Sequence, residues 1–185
     1  MVLDKILSFA KYLLDKGVSL GDVVVDATCG NGNDTVFLAS LVGEEGRVFA
    51  FDVQREAIAA TRHRLEEAGM NHVELILDGH ENALKYISLE ISAAIFNLGY
   101  LPGSDKTVTT KGVTTWKAVM DLLSVLKIGG IIVLVIYHGH AEGKVERDEI
   151  EKKIKTLDPV STAVLKYEFL NKEQAPYVIA IEKVK

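Results

Sequence analysis

Apolar positions along this chain recur in two periods. Val23-Val-Val25, Val48 to Phe51 and Ile131 to Ile136 are short, nearly continuous apolar runs, as expected of strands covered on both faces. The segments between them space their apolar residues three and four apart, the signature of helices with one buried face. The pattern predicts strands over 22–27, 47–52, 72–77, 92–97, 130–137, 161–170 and 176–183. Helices are predicted over 3–16, 33–42, 54–69, 112–126 and 144–156, with a short one over 80–86. In the first helix Leu3, Ile6, Leu7, Ala10, Leu13 and Leu14 share the apolar face, and Gly17 ends it. Strands that alternate with helices require crossover connections, hence a mainly parallel seven-stranded sheet with helices on both faces. The last two strands, joined by residues 171–175 with no helix between, are expected to form an antiparallel hairpin.

The most informative stretch is Val23 to Thr35. A buried strand runs into Asp26, Gly30 and Gly32 form a tight turn, and a helical pattern begins near Asp34. Glycines permit backbone angles closed to other residues and let a ligand approach the main chain. A carboxylate at the strand end repels phosphate and attracts an ammonium or sulfonium group. The turn therefore suits S-adenosyl-L-methionine better than a dinucleotide. Thr35 also stands where a dinucleotide fingerprint needs its third glycine. Two further strands end in acids: Asp52, at the spacing where Rossmann-like folds bond ribose hydroxyls, and Asp78, followed by Gly79 and His80.

Composition narrows the partners. A chain of 185 residues, 48% hydrophobic, suits a single domain over 1–185. The net charge of −5 argues against a broadly basic nucleic-acid surface, leaving Lys106, Lys111 and Lys117 as a local basic patch. One cysteine, Cys29, excludes internal disulfides and suits a reducing cytoplasm. Charges at Asp4, Lys5, Lys11, Asp15 and Lys16 argue against a secretory leader, and the longest apolar run is too short to cross a bilayer. The expectation is a soluble cytoplasmic protein, with a homodimer left open.

The fourth strand ends in Asn97-Leu-Gly-Tyr-Leu-Pro102 and leads to Lys106. Asn97 offers an amide oxygen to an N–H nucleophile. Tyr100 offers a ring on which a base can stack. Asp26 to Thr35, Phe51-Asp-Val-Gln54, His80-Glu81, Phe96 to Lys106 and Ile136 to His140 together resemble a small bacterial family labelled rRNA methylases. This is the YtqB/MnmM type, whose characterised members resemble tRNA 5-aminomethyl-2-thiouridine methyltransferases. The resemblance covers nearly the whole chain. It implies a Rossmann-like class I methyltransferase that carries methyl from S-adenosyl-L-methionine to the 5-aminomethyl group of the wobble uridine, U34, in the anticodon stem-loop of tRNA.

Carried onto the matching motifs, the cofactor set is Asp26, Gly30, Asn31, Gly32, Asn33, Asp34, Thr35, Asp52, Gln54, Asp78 and His80. Asn97 and Tyr100 form the catalytic pair, and Lys106, Lys111, Tyr137 and His140 face the RNA. No metal is expected, because His138 and His140 lack a third ligand nearby. Cys29 has no general-base partner in the turn and reads as a packing residue. The mixed-charge run from Glu142 to Lys155 reads as a solvated helix face with pairs such as Glu149–Lys153. Three competing readings remain. They are a class I methyltransferase acting on rRNA or a small amine, a non-enzymatic adenosyl-binding module, and a nicotinamide oxidoreductase.

Overall fold

The computed structural model describes residues 2–99, 109–139 and 141–185. The elements run α1 (Ile6–Gly17), β1 (Val23–Asp26), α2 (Asn33–Val42), β2 (Arg47–Asp52), α3 (Arg55–Glu67) and β3 (Val73–Leu77). A short 3-10 helix, His80–Lys85, leads to β4 (Ile91–Leu98), α4 (Gly112–Val125), β5 (Leu126–Ile136) and α5 (Ala141–Ile154). The chain closes with β6 (Thr162–Tyr167) and β7 (Tyr177–Lys183). One sheet takes the order β3-β2-β1-β4-β5-β7-β6, parallel from β3 to β5. Only β7 runs against its neighbours, pairing antiparallel with both β5 and β6. The expected seven strands, mainly parallel order and terminal hairpin are all present.

Alternation along the strands divides the core. Ala94, Phe96, Ile132, Leu134, Ile179 and Ile181 point to the face covered by α4, α5 and the 3-10 helix. Val24, Ala93, Ile95, Val133, Val135 and Val178 point to the face covered by α1 and α2. Successive strand residues face opposite ways, so strands buried on both sides must be apolar at nearly every position.

Several boundaries depart from the sequence expectation. Helix α1 begins at Ile6, not residue 3, and Lys5 before it is extended. Leu3 and Leu7 are exposed, while Ile6, Ala10 and Leu14 are buried. Strand β5 begins at Leu126 instead of 130, with a register break opposite Ser92 where Gly129 takes φ +78°. A bulge absorbs the turn-like Gly129-Gly130 inside the strand. Helix α5 starts at Ala141, three residues early, with Glu142 in the first turn where the helix dipole favours an acid. Glu149 turns toward Gly112 of α4 instead of pairing with Lys153.

Crossing from β3 to β4 takes the chain to the other side of β1. That reversal opens a crevice beyond the carboxyl ends of β1 and β4, the usual ligand position in such sheets. Gly32 caps α2 there at φ +80°, and a Cβ on it would stand 3.0 Å from Thr61 Cα. Gly32→Ala is expected to destabilise the fold by about 1–2 kcal/mol from the left-handed backbone alone, and more from the contact. Urea unfolding of the two proteins measures it.

Candidate active site

Residues 27–32 between β1 and α2 are tied to three strand ends. Asp26, closing β1, accepts the Thr28 N–H at 3.1 Å and the Thr35 hydroxyl at 2.7 Å. Asp52, closing β2, accepts the Gly30 N–H at 3.0 Å and the Gln54 N–H at 2.9 Å. Near the end of β4, the Asn97 N–H donates to Thr28 Oγ1 at 2.7 Å. From α3, Thr61 donates to the Gly30 carbonyl at 3.0 Å and Arg64 Nε to the Asn31 carbonyl at 2.8 Å.

Above this turn lies a cavity of about 1270 Å³. Ligand pockets usually span about 300–1,000 Å³, so this one has room for a cofactor and part of a second molecule. Among the predicted residues, Gly30, Asn31, Asn33, Asp34, Asp52, Gln54, Asp78 and His80 line one part of it. Asn97, Lys111 and Tyr137 line it as well.

Three of the expected cofactor residues do not line the cavity. Asp26 and Thr35 are fully buried and hydrogen-bonded to each other beneath the turn. Gly32 packs on Thr61. The sequence pattern identifies a strand-end acid, but this acid supports the turn instead of facing the cavity. Tyr100, Lys106 and His140 lie outside the described residues. Lys117 sits beside Asp121 and donates to the Glu81 carbonyl, so its charge is already partnered. Sequence reasoning missed Leu7, Ser8 and Lys11 of α1, together with His138 and Gln174. Ser8 and Lys11, three apart on a helix, were the available signal. Gln174 adopts φ +59°, uncommon outside glycine.

The charges are graded by burial. Burial, then the charge of Asp34, pushes the Asp26 carboxyl up to about 7 against the pull of its two hydrogen bonds. Burial also raises Asp34, opposed by Lys11, whose Nζ lies 3.7 Å from Oδ1, and by the Asn97 amide. Tyr137 is raised by burial and by Asp34. Asp78 is held low by donors from Asn82, Tyr86 and Gly79. Burial lowers His80, whose Nδ1 sits 3.0 Å from the Ala27 carbonyl. A carbonyl only accepts, so Nδ1 carries the proton and Nε2 is a buried acceptor with no partner among the described residues. Burial pushes the Cys29 thiol far up, which makes it a poor nucleophile.

Comparison with known proteins identifies the family. The family model described as "Putative rRNA methylase" matches residues 48–182. The chain belongs to this family. A tRNA (mnm(5)s(2)U34)-methyltransferase, chloroplastic, from Arabidopsis thaliana is 34% identical over 97% of this chain and 69% of the plant protein. A crystal structure described as a putative rRNA methylase, from Clostridium thermocellum, superposes with TM-score 0.97 at 43% identity, covering 99% of this chain and all of that one. A crystal structure described as a putative methyltransferase from Streptococcus mutans in complex with SAH gives TM-score 0.91 at 39% identity, covering 98% of this chain and 99% of that one.

The cavity of this methylase has donors and charges that fit an adenosyl sulfonium ligand. Its described lining carries the carboxylates Asp34, Asp52, Asp78 and Glu81 against the ammonium groups Lys11 and Lys111. Asp52 has lone pairs left for ribose hydroxyls, because each carboxylate oxygen can accept twice and among the described residues each accepts one hydrogen bond. Asp34 in the first turn of α2 stands where a pyrophosphate would have to sit.

A cation in this cavity favours ionised Asp26, so its binding releases a proton. S-adenosyl-L-methionine is expected to bind more tightly as pH rises through about 7, by at most about tenfold per pH unit, and Asp26→Asn should flatten the curve. Stability moves the opposite way. An acid whose folded pKa is raised costs stability progressively as pH climbs from about 4 to about 7. Calorimetric titration and urea unfolding at several pH values read the two effects.

Proposed function

We propose that this methylase, acting as one domain over 1–185, moves a methyl group from S-adenosyl-L-methionine to the 5-aminomethyl nitrogen of the tRNA wobble uridine, U34. The observation that carries the reading is Asn97. Its side chain lines the cavity at the end of β4 and donates its Nδ2–H to Asp34. Its Oδ1 is then the open face, and an oxygen acceptor suits an N–H nucleophile. The name of the plant relative supports the same acceptor.

S-adenosyl-L-methionine supplies an electrophilic methyl on a sulfonium, and an in-line approach by the amine is enough for displacement. The protein's task is orientation and desolvation, which supply much of the acceleration in such reactions. An alkylammonium has a pKa of roughly 10 in water, and partial burial lowers it, releasing the lone pair. Asn97 Oδ1 holds one N–H so that the lone pair points along the reaction axis. Thr110 and Tyr137 line the same cavity, and Lys111, exposed just before α4, is suited to phosphate. The substrate is the anticodon stem-loop, and the single cysteine, Cys29, suits the reducing cytoplasm in which we place the enzyme. Sedimentation of the free chain measures whether it is a homodimer.

Purified protein with labelled cofactor should methylate tRNA carrying the 5-aminomethyl group and leave tRNA without it untouched. Labelling of rRNA, or equal labelling of both tRNAs, would replace this acceptor by another. Asn97→Ala is expected to lower kcat by about tenfold or more while changing the KM for tRNA little.

A further inference from the structure

An asparagine amide is a switch with two nearly isosteric faces. One rotamer presents an oxygen acceptor and the other an NH2 donor. Only the first receives an N–H from an amine; the flipped amide would offer it hydrogens instead of an oxygen. Something must therefore hold Asn97 in one sense, and the sequence alone does not say what.

We propose that Asp34 is the positioning residue that locks the Asn97 amide with Oδ1 turned to the acceptor nitrogen. The inference rests on the function proposed above and gives Asp34 a task other than binding cofactor. Asn97 Nδ2 lies 2.5 Å from Asp34 Oδ2. An ionised carboxylate can only accept, so it selects the NH2 face, and a flipped amide would set two oxygens against each other. Bonds to an ionised acceptor are roughly twice as strong as neutral ones.

Asp34 is itself held in place. It lies in the first turn of α2, where the helix dipole favours a negative charge. Lys11 from α1 stands 3.7 Å from the carboxylate oxygen that Asn97 does not use. At the other end, the Asn97 backbone is pinned by its N–H to Thr28. Both the strand end and the carboxylate are thus fixed, which leaves the amide one satisfied orientation.

Two variants and two readouts test this. Asp34→Ala frees the amide, and kcat for 5-aminomethyl tRNA should fall roughly 10- to 100-fold, the loss typical of a bond to a charged group. The KM for tRNA should stay within about threefold, and kcat is read at saturating S-adenosyl-L-methionine so that the loss of one cavity charge does not enter it. Asp34→Asn leaves a carbonyl that can accept from Nδ2, but its own amide can also flip and donate to Oδ1, so kcat should settle between wild type and Asp34→Ala. In the protein without ligands, NMR of the Asn97 side-chain NH2 should show slow hydrogen exchange in wild type, reduced protection in Asp34→Asn and rapid exchange in Asp34→Ala. Should Asp34→Ala fail to fold, Asp34→Asn and the wild-type resonance still decide.

An Asp34→Ala enzyme with unchanged kcat and weakened cofactor binding would overturn the proposal and make Asp34 a cofactor ligand. Asp34→Asn as inactive as Asp34→Ala would overturn it too, pointing to a carboxylate needed to take the proton. If wild type fails to methylate 5-aminomethyl tRNA, the function reading falls, and the NMR result still tests the amide lock by itself.

Discussion

The site depends on one constraint: the main chain between β1 and α2 must stay open to a ligand yet hold one conformation. Glycines make that turn possible and also make it loose. Here three neighbouring strand ends hold it. Asp26 grips Thr28, Asp52 grips Gly30, and the Asn97 N–H reaches the Thr28 hydroxyl. Each of these residues arrives on a separate parallel strand, so the turn's geometry follows from the order and register of the sheet. Displacing β2 or β4 would release a different part of the same turn.

That arrangement explains why the strand-end acids differ in role although they look alike in sequence. Asp26, beneath the turn, is shut off from water and compensated by two hydrogen bonds, which leaves its carboxyl near neutrality. Asp52 supports the turn with one side of its carboxylate and lines the cavity with the other. Asp78, at the rim, is solvated and gathers three donors, so it is held low. Together with Asp34 these acids give the cavity a field that welcomes a positive ligand. A pyrophosphate would meet Asp34 at the very helix end where phosphate-binding folds present free N–H groups.

Much of this was legible in the sequence, because apolar runs and strand-end acids are local features. The seven strands, their alternation with helices and the chemical sense of the first turn follow from residues adjacent in the chain. Errors arose where an answer depended on packing. Nothing local says that Asp26 faces Thr35 and not the ligand, or that Gly32 is required by Thr61 of α3. Leu7 fits the apolar stripe of α1, yet it lines the cavity together with Ser8 and Lys11. The Gly129-Gly130 pair reads as a turn, and only pairing with β4 turns it into a bulge within β5.

The part of the cavity beside α4 is built by the same logic as the part above the first turn, from a different buried acid. Glu146 of α5 is 3% exposed and accepts the hydroxyls of Thr110 and Thr115 at 2.6 and 2.8 Å. Thr110 in turn accepts the Gly99 N–H at 2.9 Å and donates its own N–H to the Gly99 carbonyl at 3.1 Å. The end of β4 is thereby bridged to the approach to α4, and both are fastened to α5. A buried carboxylate without such partners would be costly, so its two hydroxyl donors are a condition of the fold and not an embellishment. The two halves of the cavity are thus anchored to opposite faces of the sheet and meet at Asn97. Its backbone is tied to the β1–α2 turn through Thr28, while two residues later the chain is tied to Thr110 through Gly99. A residue fixed from both sides of a sheet suits a reaction in which a methyl group must travel between two molecules along a single line.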